Sequence, residues 1–192
     1  MGICDWVKFF HKQILISNIM IELEKTYLAK ELPKGLENCE FKEIIDIYIP
    51  KSSEHPKLRI KKNGNKFEAT KKKPISDGDA SRLEEQTIIL TEDEFNAFEK
   101  LDGKRVRKLR YFYDYNGRIA EIGVFQDSLK GLIAIDFEFE NIKEKDNFEM
   151  PDFCLADVTQ EVFLAGGMIC GKSYEDIEND LKRFNYKKLS LG

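Results

Sequence analysis

Acidic and basic side chains recur in this chain two residues apart, on segments that otherwise read as strands. Glu22 and Glu24 flank Leu23, Asp136 and Glu138 flank Phe137, Arg59 and Lys61 flank Ile60, and Lys108 and Arg110 flank Leu109. Successive side chains of a strand point to opposite faces, so each charged pair shares one face and its apolar neighbours share the other. Lys72, Glu85 and Glu121 stand in similar segments. Carboxylates are hard oxygen donors, and magnesium takes one or two of them together with substrate phosphates. Lysine and arginine converge on phosphate oxygens, arginine through two parallel hydrogen bonds. A single charged strand face is the ordinary solvated side of an antiparallel sheet. Its repetition over several strands predicts instead a barrel with a charged lumen, where cations and a polyanion meet.

Other motifs lead less far. Residues 166–173 read G-G-M-I-C-G-K-S and match the P-loop pattern G-x-x-x-x-G-K-[ST]. A P-loop needs a parallel sheet and a later acidic strand for magnesium. Only residues 174–192 follow, and they read as one helix, so the expectation is a glycine-rich turn between two helices. Cys4, Cys39, Cys154 and Cys170 form no C-x-x-C pair, and His11 and His55 are the only histidines. Neither a zinc cluster, a disulfide framework nor a Ser/His/Asp or Cys/His arrangement is indicated.

The charged pairs need strands to hold them. The alternation predicts eight, at residues 18–28, 43–49, 57–62, 66–72, 83–90, 105–113, 118–125 and 133–140, with Asn63-Gly64-Asn65 and Tyr115-Asn116-Gly117 as hairpin turns. Thr91 and Glu94 form a capping-box pattern ahead of Phe95, Phe98 and Leu101, which predicts a helix over 91–101. Two more helices are expected at 159–170 and 173–184, with Ser173 as N-cap, and 143–151 reads as a charged linker. Residues 6–16 read as a short amphipathic helix before the first strand. Eight strands joined mostly by short turns predict an antiparallel sheet closed on itself. Helices must cover its apolar face from outside, so the fold class is α+β and β-rich, a closed eight-stranded tunnel with a charged interior. The length of 192 residues suits one domain.

A net charge of −4, from 31 basic and 35 acidic residues, does not favour a duplex nucleic-acid binder. No apolar run reaches the length of a membrane span. A cytoplasmic protein with free thiols is the expectation.

With these residues in view, the chain resembles the CYTH, or triphosphate tunnel metalloenzyme, family. The family signature is an N-terminal E-x-E-x-K strand, and Ile21-Glu22-Leu23-Glu24-Lys25-Thr26-Tyr27-Leu28 sits in its place. The resemblance continues through 58–62, 69–72, 108–111, 121–125 and 131–140 and reaches 157–159. It implies a CYTH-like domain over 18–192, with residues 1–17 as an extension. The resemblance also implies a triphosphate substrate, inorganic or nucleoside-borne, and Mg²⁺ or Mn²⁺. Glu22, Glu24, Asp136 and Glu138 would lie on the metal side, Arg59, Lys61, Lys72, Lys108 and Arg110 on the phosphate side, and Glu85 and Glu121 at further acidic positions of the tunnel. The implied activity is triphosphate hydrolysis by a metal-oriented water. An adenylate cyclase of the same fold, or a weakly catalytic polyphosphate- or nucleotide-binding module, is the alternative. Two positions depart from the pattern: Thr26 replaces the signature lysine, and Gly123 stands where an acid usually follows Glu121.

Overall fold

A computed structural model describes residues 19–76 and 79–191. Its strands are β1 (Ile19–Ala29), β2 (Phe41–Ile49), β3 (Leu58–Asn63), β4 (Lys66–Pro74), β5 (Arg82–Leu90), β6 (Lys104–Tyr115), β7 (Arg118–Phe125), β8 (Ile133–Glu138) and β9 (Cys154–Asp157). The helices are α1 (Glu92–Glu99), α2 (Ile142–Asp146), α3 (Gly166–Ile169) and α4 (Tyr174–Lys182). The expected N-terminal helix lies outside the described residues.

The first eight strands close on themselves. Their order is β5-β4-β3-β2-β6-β7-β8-β1, and β1 pairs back to β5. Every pairing is antiparallel. Closure removes the free edges that an open sheet exposes. The β6–β7 hairpin turns through Asn116 and Gly117, both at positive φ (53° and 82°), the geometry of a tight hairpin whose twist matches its strands.

The outer faces are apolar where something covers them. Leu23, Tyr27, Ile122, Ile135 and Phe137 form one cluster, over which Phe148 and Phe153 pack. Ile47 and Ile60 pack against Phe95 of α1. Thr91 and Glu94 complete the predicted capping box of α1, and Ser173 and Asp176 form the same device on α4. Each cap is worth about 1 kcal/mol, enough to fix where these short helices begin. Ile177 and Leu181 of α4 are fully buried against the barrel.

Four expectations are corrected. Residues 159–170 do not form one helix: a short 3-10 turn (Val162–Leu164) and the one-turn α3 replace it, separated by Ala165 at an extended ψ of 134°. The presumed linker contains α2, capped by the Asn141 side chain, and the unforeseen β9, which pairs with β1. β8 stops at Glu138, leaving Glu140 exposed beyond it. Ile21 sits on the outer face as expected, yet no helix among the described residues covers it and it is 62% exposed.

Gly166 and Gly167 are explained by packing rather than by phosphate. A Cβ at Gly166 would lie 2.1 Å from the Tyr48 hydroxyl, and one at Gly167 would lie 2.5 Å from the Pro56 carbonyl oxygen. Only glycine lets this turn approach the barrel end so closely. The P-loop-like motif is therefore the one-turn α3 and the short turn into α4, packed on the barrel end, and not the turn after a longer helix that the sequence suggested.

Candidate functional site

Strand register alone gathers the charged residues. Thr26 stands opposite Asp136, and Asp136 opposite Glu121. Glu121 stands opposite Phe112, on the face of Lys108 and Arg110. Lys108 faces Ile44 on β2, whose neighbour on the same side is Asp46, and Asp46 faces Lys61. Arg59 faces Thr70, on the side of Lys72, and Lys72 faces Glu85. Leu83, on the side of Glu85, faces Glu22 and closes the circuit. Glu24 stands opposite Glu138. All eleven residues singled out from the sequence thus share the lumen face, including Glu85, whose register the sequence left open. Lys25 lies on the outer face, where its ammonium donates to the Phe148 carbonyl.

Two basic side chains join the acidic and basic walls. The Lys72 ammonium pairs with Glu22 and, at 3.0 Å, with Glu85. The Arg110 guanidinium pairs with Glu121 and reaches Asp136 at 3.9 Å. The Thr26 hydroxyl donates to Asp136 at 2.8 Å, so the residue in the place of the signature lysine is tied to the acidic wall.

Elsewhere like charges face each other. Burial pushes the Glu24 carboxyl up to about 7; Lys72 opposes this, while Glu22, Asp136 and Glu138 add to it. Glu138 is more open to solvent, yet partial burial and the carboxylates of Glu121 and Glu22 raise it too. On the basic wall, burial and the guanidinium groups of Arg59 and Arg110 pull Lys61 down to about 8. Burial and Arg110 likewise lower Lys108. Neither Lys61 nor Lys108 forms an ion pair among the described residues. The Lys108 ammonium instead lies 5.3 Å from the centre of the Phe125 ring. Gly123 makes room for it, because a Cβ there would stand 3.1 Å from the Lys108 stem.

Sequence reasoning missed Asp46 and Tyr48. Asp46 is 5% exposed and lies 3.7 Å from Arg59. The isoleucines around both residues make β2 read as a strand buried on both faces; the lone acid inside that run was the available signal. Asp46 Oδ1, Arg59 Nε and Arg110 Nε are buried without hydrogen-bond partners among the described residues. Asp46 Oδ1 and Arg59 Nε are the two ends of that one 3.7 Å ion pair, too long for a hydrogen bond.

A cavity of about 500 Å³ occupies the barrel end at which β2 finishes and β3 begins. Glu24, Asp46, Arg59, Lys72, Lys108, Arg110 and Asp136 line it, whereas Glu22, Lys61, Glu85, Glu121 and Glu138 lie outside its lining. The acidic set is therefore divided along the tunnel. Among the described residues no three His, Cys, Asp or Glu side chains gather closely enough to hold a metal ion in this arrangement.

No protein-family model matches the chain, and no curated protein matches it. The fold has clear counterparts among solved structures. Two crystal structures of NE1496, one describing it as an inorganic triphosphatase, superpose with a TM-score of 0.58. They are 20% and 22% identical to this chain, cover 79% of it, and are themselves covered over 95% and 99% of their length. A protein from Pyrococcus horikoshii aligns over 87% of this chain and 92% of its own at 18% identity, with a TM-score of 0.46. The closed eight-stranded topology with outer helices agrees with the likeness to the two NE1496 structures, and the chain has their fold, the closed tunnel that the resemblance to the CYTH family implied.

Proposed function

We propose that the tunnel binds a small molecule carrying a triphosphate, together with a divalent cation, and hydrolyses it. The observation that carries this reading is the pair of opposed walls. Arg59, Lys61, Lys108 and Arg110 form a buried basic surface in which neither lysine forms an ion pair among the described residues, and Glu24 and Asp136 face it across the same lumen. A polyanion relieves repulsion on the first wall, and a cation relieves it on the second.

The donors suit the cation in kind. They are carboxylates, the ligands of Mg²⁺ and Mn²⁺, and burial raises the Glu24 pKa further than the nearby Lys72 lowers it, so an added cation would favour its charged form. Glu24 and Asp136 would hold the ion from the cavity side and Glu22 and Glu138 from further along the tunnel. Lys72 now stands between Glu22 and Glu85 and would have to yield part of that place. When bound, the ion supplies Lewis acidity to phosphate oxygens and orients a water. The chain's own part is positional: arginine and lysine hold the phosphates in line and offset charge that develops on the leaving oxygens.

The departures at Thr26 and Gly123 favour a second reading, a module that binds triphosphate with little turnover. Thr26 presents a hydroxyl already committed to Asp136 where an ammonium would otherwise reach the phosphates. One experiment separates the readings. Tripolyphosphate and nucleoside triphosphates are supplied with Mg²⁺ or Mn²⁺, and binding, released phosphate and cyclic nucleotide are all measured. Phosphate release supports the hydrolase, cyclic product the cyclase, and tight binding with neither supports the module. Absence of binding by every triphosphate overturns the tunnel reading.

A further inference from the structure

The cavity changes character between the strands and the loops that complete it. Its strand-borne lining carries the charges, with Arg59, Lys108 and Arg110 facing Glu24 and Asp136. Its loop-borne lining adds an apolar stretch, Pro56, Val158, Val162, Leu164 and Ala165, set among the polar groups of Lys57, Asp79, Gln160 and Glu161. Val162 is 61% exposed, an uncovered aliphatic group at the edge of a charged chamber. The His55 imidazole lines the same region, with the Lys57 ammonium 3.2 Å from Nδ1.

A bare polyphosphate gains nothing from the apolar stretch of this rim. Every part of it is charged, and placing it against aliphatic carbon removes water without replacing the hydrogen bonds. An organic group gains from it directly, because apolar contact is what that surface offers. At about 500 Å³ the cavity also falls inside the range of roughly 300–1,000 Å³ usual for sites of organic ligands.

We infer that the ligand is an organic triphosphate rather than inorganic tripolyphosphate. Its phosphates lie against Arg59, Lys108 and Arg110, and its organic group rests on the apolar stretch of the rim formed by Val162, Leu164 and Pro56, beside His55. This rests on the triphosphate reading above and narrows its substrate class. The fold alone does not make the choice, since the strand-borne charges serve either ligand; the loop segment around the Val162–Leu164 turn makes it.

The test is calorimetric binding of four probes in Mg²⁺ to the full chain: inorganic tripolyphosphate, ATP, UTP and phenyl triphosphate. At least one organic probe is expected to bind about tenfold or more tighter than tripolyphosphate. Val162→Ser should lower that preference by about fivefold, and adding Leu164→Ser by about tenfold. Val162 is exposed, so its single variant folds as the parent does, and a thermal melt checks the double variant. Tripolyphosphate binding as tightly as every organic probe overturns this inference and leaves the triphosphate reading standing. An organic preference that survives both variants overturns the placement of the organic group. Failure of all four probes to bind removes the triphosphate reading and this inference with it.

Discussion

The acidic wall of the tunnel and the basic wall strain in opposite directions for the same reason. On β1 and β8, burial and neighbouring carboxylates hold protons on Glu24 and Glu138 that free glutamate would lose. On β3 and β6, burial and neighbouring guanidinium groups drive protons off Lys61 and Lys108 that free lysine would keep. The walls meet through Lys72 at Glu22 and Glu85 and through Arg110 at Glu121 and Asp136. Apart from Asp46 beside Arg59 on the basic side, like charges otherwise gather with like. A surface built for stability alone would interleave them, since paired charges cost less to bury than segregated ones. Segregation leaves each wall short of a counter-charge that a ligand can supply.

The comparison breaks most sharply at Arg110, the bridge between the walls. Arg110→Ala should weaken tripolyphosphate binding by about 30-fold, through loss of charge-assisted hydrogen bonds. It should also destabilise the protein by about 2 kcal/mol, because Glu121 is left partly buried without its partner. Calorimetry and urea unfolding read the two effects; unchanged affinity would remove Arg110 from the phosphate wall.

Glu24→Gln tests the acidic wall. The folded protein holds the Glu24 proton up to about pH 7, whereas a free glutamate loses it near 4.5. The fold therefore binds more protons than the unfolded chain between those values, and wild-type stability falls as pH rises through that window. Glutamine removes this slope and should leave the variant about 2 kcal/mol more stable at pH 8, while weakening Mn²⁺ binding. A wild-type pH slope that persists in the variant would show that the buried Glu24 carboxyl is not its cause.

Lys61 gives the matching test on the basic wall. Its ammonium is charged below about pH 8 and loses its proton above it. A bound polyanion favours the charged form, so tripolyphosphate affinity should be flat below that pH and fall about fivefold by one pH unit above it. Lys61→Arg, charged throughout, should abolish the inflection in an affinity-versus-pH series. An inflection unchanged by arginine would assign it to another group.

The smallest effect is expected at Thr26. Thr26→Lys restores an ammonium on the lumen face of β1 and should tighten tripolyphosphate binding about threefold at moderate salt. Thr26→Gln, of similar reach but neutral, should change it far less. Equal behaviour of the two variants would mean that charge at this position is irrelevant.

Much of this architecture was legible before any tertiary contact was known. Alternation in β1, β3, β6 and β8 assigned Glu22, Glu24, Arg59, Lys61, Lys108, Arg110, Asp136 and Glu138 to faces, because a strand's side-chain period is two in any fold. The Thr91 and Ser173 caps were readable because capping is local, set within four residues. The region after β8 was misread for the opposite reason. β9 exists only because β1 offers it an edge, and the broken 162–169 segment takes its shape from packing on the barrel end.

The sequence by itself determined which side chains share a face and which faces are charged, since both follow from backbone geometry and residue type. Only the tertiary structure decided how those charges are partnered. It paired Lys72 with Glu22 and Glu85, buried Asp46 beside Arg59, left Lys61 and Lys108 without an ion pair among the described residues, and set an apolar stretch on the cavity rim. Ion pairs and cavities depend on distances between strands far apart in the chain, and those distances are fixed only when the barrel closes.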